Sequence, residues 1–419
     1  MFKVAQSRSA RCFLLSGVLS CAFFTEVAAQ ASPPAIQAWE ALAYMAEGGP
    51  DVSVDEVRLL TGLYVAMYLA GASVNDRYEL NSGLPAAEAS PDEAAAQAGA
   101  AYLTNYWQVN ADDLAQIADM DPPADLRQLG DAAAALALQM VTATIGEPVP
   151  YRPFVVPGRY VPTQIPGDAS KAHLRHFAYA AKLATQISPP PLPDSDAFVA
   201  SYIETKRIGS ATSTVRTIDE TKASMIFDLQ DPHPMIFRVL ANRDLSLFEQ
   251  ARVLAIYDMG IEDVGAAQFT GKLHFQSWRP ITAIRNGDLD DRPETEVEPG
   301  WTPLLETPNS SEYPCGHCTF ASASAHMLVK LLPLMPGEKV VITADDIYTK
   351  NNNRGFDGDL VSYIVGHRME FDSWEAFAIA GSLSRIHNGA HFRFSIEAGQ
   401  ALGKDIADAV IATWGGALN

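Results

Sequence analysis

The chain has 419 residues, room for two or three ordinary domains or one large core, and 48% of them are apolar, which excludes disorder as its main state. Fifty acidic residues against thirty basic ones give a formal charge of −20. That argues against nucleic acid or an anionic membrane as the main partner, but a few clustered cations can still hold a small anion.

Lys3, Arg8 and Arg11 precede a short apolar run, Cys12 to Phe24, and Ala29-Gln30-Ala31 offers a small-residue cleavage site. Residues 1–31 therefore read as a secretory signal peptide, too short in its apolar part for a membrane span. An exported protein, periplasmic or secreted, is expected. Its mature form keeps only Cys315 and Cys318, in an oxidising compartment. No later segment is long and apolar enough to span a bilayer, and a homo-oligomer is compatible with the sequence.

Helical patterning begins at Ala35–Glu47 and continues at Ser53–Asn75, where Ser53 and Glu56 form a capping box. Two Ala-rich helices follow, Pro91–Tyr106 and Leu126–Ile145. Pro- and Gly-rich stretches at 151–167 and 188–193 cannot be helix interiors and are expected to join two helical lobes, 32–187 and 188–419. Helices resume at Ser195–Gly209, Thr217–Leu229, Ser246–Trp278, Cys318–Leu332, Trp374–Ile386 and Ser395–Trp414. No run alternates convincingly as strands. The acidic segments 288–298 and 351–359 lack calcium-loop spacing and read as solvated turns.

Three segments carry chemistry. Lys272 and Arg279 are seven apart, two turns of one helix, so both cations leave the same face. Taken alone they read as surface cations; facing inward, they need an anion with several oxygens. In Tyr313-Pro314-Cys315-Gly316-His317-Cys318, Gly316 lets backbone approach a ligand at a helix start, and His317 stands at its mouth as an acid or base. The bland reading is a tight turn with a satisfied histidine. In Arg385-Ile-His-Asn-Gly389-Ala-His391, Gly389 permits a break that turns His391 back toward Arg385. A zinc site on His387 and His391 would need an unbroken helix and a further ligand.

Together these segments resemble the superfamily of vanadium haloperoxidases and type 2 phosphatidic acid phosphatases. Trp278-Arg-Pro-Ile-Thr-Ala-Ile-Arg285 and His391-Phe-Arg-Phe394 resemble the vanadium-dependent haloperoxidase branch in particular. The resemblance implies an all-α fold of two packed helical bundles with the oxyanion site in the second. It implies that Lys272, Arg279, Arg385 and the Gly316 N–H hold vanadate, that His391 is its axial ligand, and that His317 is the acid–base residue. Hydrogen peroxide, a halide and a small organic acceptor would be the substrates. Asp263, nine before Lys272, would orient a cation or His317, and Ser310 would pack close to the vanadate.

Two positions depart from the family. Cys315 stands where a serine usually donates its hydroxyl, and a thiol is a poor donor. Ser395 stands where an aspartate often orients the axial histidine. A haloperoxidase would make strong oxidants beside Cys315, so a protective Cys315–Cys318 disulfide is expected. The alternatives are a phosphatase using His391 as nucleophile, and thiol redox chemistry at Cys315-Gly316-His317-Cys318. The latter motif normally follows a strand, and none is indicated here.

Overall fold

The structure is a computed structural model, and it describes residues 34–45, 56–78, 83–144, 156–162, 172–228, 232–344, 364 and 366–415. The expected signal peptide, the capping box at Ser53 and the acidic segment 351–359 lie outside these residues.

A first group of helices comprises α1 (Ala35–Met45), α2 (Glu56–Ser73), α3 (Pro91–Trp107), α4 (Ala111–Leu114) and α5 (Ala124–Thr142). Ser90 opens α3 with a capping box completed by Glu93, and Pro91 supplies a preset φ at the first helical position. The alanines of α3 and α5 leave little side-chain bulk, so both pack closely on α2, which is buried from Leu59 to Ala70.

The second group comprises α6 (Asp196–Ile208), α7 (Ile218–Asp228), α8 (His233–Leu240), α9 (Leu247–Phe275), α10 (Pro280–Arg285), α11 (Gly316–Leu331), α12 (Trp374–His387) and α13 (Arg393–Trp414). The long α9 starts at a second capping box, Ser246 with Glu249. It packs on α1, α2 and α3 as well as on α11 and α13, so one apolar core runs through both groups. The expected all-α class holds. One two-stranded ribbon was not foreseen: β1 (Val340–Thr343) pairs antiparallel with β2 (Arg368–Phe371). Four residues per strand are too few for alternation to register in sequence.

The α11–α13 contact fixes the site. A Cβ at Gly399 would fall 2.5 Å from the Cys315 carbonyl oxygen, and one at Gly403 would fall 2.4 Å from that of Thr319. Only glycine lets α13 lie against the backbone of α11, and a larger residue would cost about 1–3 kcal/mol in displaced packing. Among the described residues no helix is long and apolar enough to cross a membrane.

Candidate oxyanion site

Lys272 and Arg279 do converge, but not from one helix face. Helix α9 ends at Phe275, Gln276 turns into the left-handed region (φ 48°), and Arg279 caps the next helix. Pro280 accounts for this: it cannot continue a helix, it holds the preceding residue extended, and it begins α10. Lys272 Nζ donates to the carbonyls of Ser311 (2.6 Å) and Glu312 (3.1 Å). Arg279 donates to the Ser310 carbonyl from Nε (2.8 Å) and to Ser310 Oγ from Nη2 (3.1 Å). Its Nη1 reaches the Ala390 carbonyl and His391 Nε2, both at 2.9 Å.

The 310–312 loop leads into α11. Cys315 caps that helix, its Sγ accepting from the Cys318 N–H at 3.2 Å, and the two cysteines form the expected disulfide. The glycine at 316 has a reason besides ligand approach: a Cβ there would meet Gln268 Oε1 at 1.7 Å. The first-turn N–H groups of Gly316 and His317 have no partner within the helix, as at any helix start.

Helix α12 delivers Arg385, and the chain then reverses. Gly389 has φ 80°, and the N–H groups of Ala390 and His391 both donate to the Arg385 carbonyl at 3.1 Å. This is the fold-back expected of Gly389. The buried Arg385 pairs through Nη1 with Asp228 Oδ1, while its Nε and Nη2 have no partner among the described residues. The buried His391 ring meets Glu312 Oε1 through Nδ1 at 3.0 Å. Arginine can only donate, so Nε2 accepts from Arg279 and Nδ1 carries the proton given to Glu312.

Electrostatics bind the groups into one unit. Burial, reinforced by Arg279, Lys272 and Arg385, pushes His391 well below the ordinary histidine range, so its ring is neutral. Burial and Arg385 push His317 down to about 3, against the opposing pull of Asp228. Lys272 is lowered by burial and by Arg279, and Arg279 falls to about 10 by burial, with Arg385 adding to the fall. Burial raises the Glu312 carboxyl to about 7, against the Phe392 N–H and Arg279. Burial disfavours the charge on both Lys272 and Arg279, and Arg385 repels each of them, while Glu312 partly offsets this.

Two expected residues sit elsewhere. Asp263 accepts from the backbone N–H groups of Phe177 (2.6 Å), Ala178 (2.8 Å) and Tyr179 (2.7 Å). It pins that segment to α9 rather than orienting Lys272 or His317, because these N–H groups satisfy both its oxygens. Ser395 Oγ donates to the Glu312 carbonyl at 3.3 Å, while the partner of His391 Nδ1 is Glu312. Ser310, as expected, lies at the site through Arg279. Three residues were missed. Asp228 comes from α7 and carries no sequence signal. Tyr160, whose hydroxyl donates to Asn309 Oδ1 at 3.2 Å, lies in a Pro-rich segment but within electrostatic reach of Arg279. Glu312 was detectable as a lone acid three residues before Cys315.

Fold and site together define a helical protein with a buried cluster of fixed cations around a neutral imidazole. Residues 252–416 match the family model of the VCPO second helical-bundle domain. The chain is 27% identical over 187 residues to the vanadium chloroperoxidase of Curvularia inaequalis, covering 38% of this chain and 30% of that relative's length. Its fold is similar to that of a bacterial vanadium-dependent iodoperoxidase, with TM-score 0.63 and 18% identity over 93% of this chain and 98% of the other. An apo-type bacterial vanadium-dependent chloroperoxidase gives TM-score 0.62 at 14% identity over 90% and 97% of the two chains. The resemblance to the vanadium-dependent haloperoxidase family read in the sequence is thus borne out by family model, relative and fold.

Proposed function

We propose that this chain is a vanadate-dependent haloperoxidase, oxidising a halide with hydrogen peroxide and passing the product to a small organic acceptor. The observation that carries the reading is Arg385: a fully buried guanidinium with two unpartnered donor nitrogens, beside a second arginine, a lysine and a neutral histidine. A buried donor without a partner costs about 1–3 kcal/mol, more when charged, so the native state is waiting for an acceptor. Vanadate fits, having several anionic oxygens and a centre that takes a lone pair.

Arg385 Nε and Nη2, Lys272, Arg279 and the first N–H groups of α11 would hold the oxygens. His391 would offer its Nε2 lone pair to the centre, which would require Arg279 Nη1, now on that nitrogen, to donate to an anionic oxygen instead. Vanadate held there would supply Lewis-acid activation of peroxide toward halide with no change in its oxidation state. His317 is neutral over most of the working range, so a ring nitrogen is free to take a proton from incoming peroxide and return it. Burial is the main cause of the low His317 pKa; an anion beside Arg385 and Arg279 would offset the smaller part due to their charges and make the ring a somewhat stronger base. The Cys315–Cys318 disulfide removes a thiol that the oxidising product would consume.

The leader-like residues 1–31 and that disulfide both support export to a periplasmic or extracellular compartment. The test of function is purified protein with vanadate, peroxide and iodide, bromide or chloride, run beside a chromogenic phosphate ester. Vanadate-dependent halide oxidation supports the proposal. Ester hydrolysis with no halide oxidation refutes it in favour of the phosphatase.

A further inference from the structure

We infer that Glu312 is the positioning residue of the axial histidine: it has taken over, from the loop before α11, the task usually given to a residue on the last helix. Glu312 is fully buried and touches His391 Nδ1 with Oε1 at 3.0 Å. The same oxygen accepts the Phe392 N–H at 3.0 Å, so the carboxylate grips both the ring of residue 391 and the backbone just after it. Its main-chain carbonyl is fixed in turn by Lys272 Nζ at 3.1 Å and Ser395 Oγ at 3.3 Å. The serine at 395 therefore braces Glu312 rather than the imidazole. This inference rests on the proposed vanadate site and adds to it a residue that has no role in holding the oxyanion itself.

Two groups hold the His391 ring here, Arg279 at Nε2 and Glu312 at Nδ1. Once Arg279 turns to an anionic oxygen, Glu312 is the remaining polar hold on the ring. A carboxylate accepting from Nδ1 keeps the hydrogen there, aims Nε2 at the site and enriches its lone pair. That matters only for a centre that takes a bond from nitrogen. Vanadium does; phosphorus in inorganic phosphate does not. Glu312 should therefore act on vanadate affinity and leave phosphate affinity nearly alone, whereas a merely structural role would move both together.

The test is equilibrium binding of orthovanadate and, separately, of inorganic phosphate to the full chain, by calorimetry and ⁵¹V NMR. In Glu312→Leu the dissociation constant for vanadate should rise at least tenfold and that for phosphate less than threefold. Glu312→Gln, which keeps an acceptor of the same shape, should lose less vanadate affinity than Glu312→Leu and guards against misfolding of the leucine variant. Equal weakening of both anions, or no change in either, overturns the inference. His391→Ala separates this failure from failure of the proposed function. If it loses vanadate selectively and Glu312→Leu does not, the Glu312 assignment alone is wrong. If His391→Ala shows no preference either, the axial role of His391 is wrong and Glu312 has nothing to position.

Discussion

Replacing Arg385 by methionine should leave the ligand-free protein as stable as before or more so, while abolishing its response to oxyanions. Arg385 is 0% exposed and buries a full charge with two unpartnered donor nitrogens, Nε and Nη2. Each such donor costs about 1–3 kcal/mol, so the folded state carries roughly 2–6 kcal/mol that methionine, similar in length and apolar, removes. Against this stands the lost pair with Asp228, whose side chain is 24% exposed and can turn to water, a loss of about 1–2 kcal/mol. Lys272, Arg279 and His317 also lose a repulsive neighbour. The ligand side has the opposite sign. Two charge-assisted bonds to an oxyanion are worth about 3 kcal/mol or more, so vanadate should bind at least a hundredfold more weakly. Thermal unfolding with and without vanadate and phosphate reads both effects. At a hundred times the dissociation constant the wild type should gain about 2.7 kcal/mol, and the variant almost none at the same concentration. A variant destabilised by more than about 2 kcal/mol that still responds to phosphate as the wild type does would refute the idea of a site strained for an anion.

His317→Ala should keep vanadate affinity within about tenfold while losing most halide oxidation, as the proposed acid–base role requires; an unchanged turnover rate would sink that role. His317 also has a pH signature in the ligand-free protein. Its folded pKa of about 3 lies below the ordinary 6.5, so between these values the unfolded chain binds the extra proton and stability rises with pH. The alanine variant should lose that part of the slope in urea titrations at pH 4 and 6, and identical slopes would contradict it. Asp263→Asn should cost about 2–4 kcal/mol, because one amide end now faces backbone N–H groups, yet leave oxyanion affinity of the folded fraction unchanged; a selective loss of vanadate binding would return Asp263 to the site. Intact-mass measurement with and without reductant, followed by alkylation, should show Cys315 and Cys318 linked, and reduction should cost no more than about 2 kcal/mol for so short a loop. Two free thiols in protein that sustains turnover would exclude the protective role.

The helices were legible from composition and apolar periodicity. The capping boxes of Ser90 with Glu93 and Ser246 with Glu249 fix two helix starts but were not read in the sequence, whereas Gly389 was read as the reversal that brings His391 back toward Arg385. The site residues were legible as residue types, but their geometry was not. The seven-residue spacing of Lys272 and Arg279 suggested one helix face, whereas Pro280 and the left-handed Gln276 bring them together across a break. Spacing cannot tell a continuous helix from two helices meeting at a capped turn. The supporting carboxylates were harder still. Asp263 looked right by position along α9 and serves a different segment, while Asp228 reaches Arg385 from 157 residues away along the chain. Such long-range pairs leave no local pattern to read.

The two departures from the family pattern acquire a common explanation. A serine at position 315 would donate a hydroxyl, and an aspartate at position 395 would steer the axial imidazole; this chain has neither. It ties Cys315 into a disulfide whose Sγ caps α11, so the position stops competing as an acid and instead stabilises the turn that aims the N–H groups of Gly316 and His317. It places a carboxylate at Glu312, directly after Ser310 and Ser311 that anchor the two cations and three residues before the cap. One short segment, 310–318, thus carries the anchor points for Arg279 and Lys272, the contact to His391 Nδ1, the start of α11 and His317. Concentrating these tasks in contiguous residues makes their relative positions depend on local backbone geometry rather than on how distant helices settle. The Cys315–Cys318 disulfide at the end of that segment is then a constraint on the position of His317 and of the α11 start, in addition to removing a free thiol.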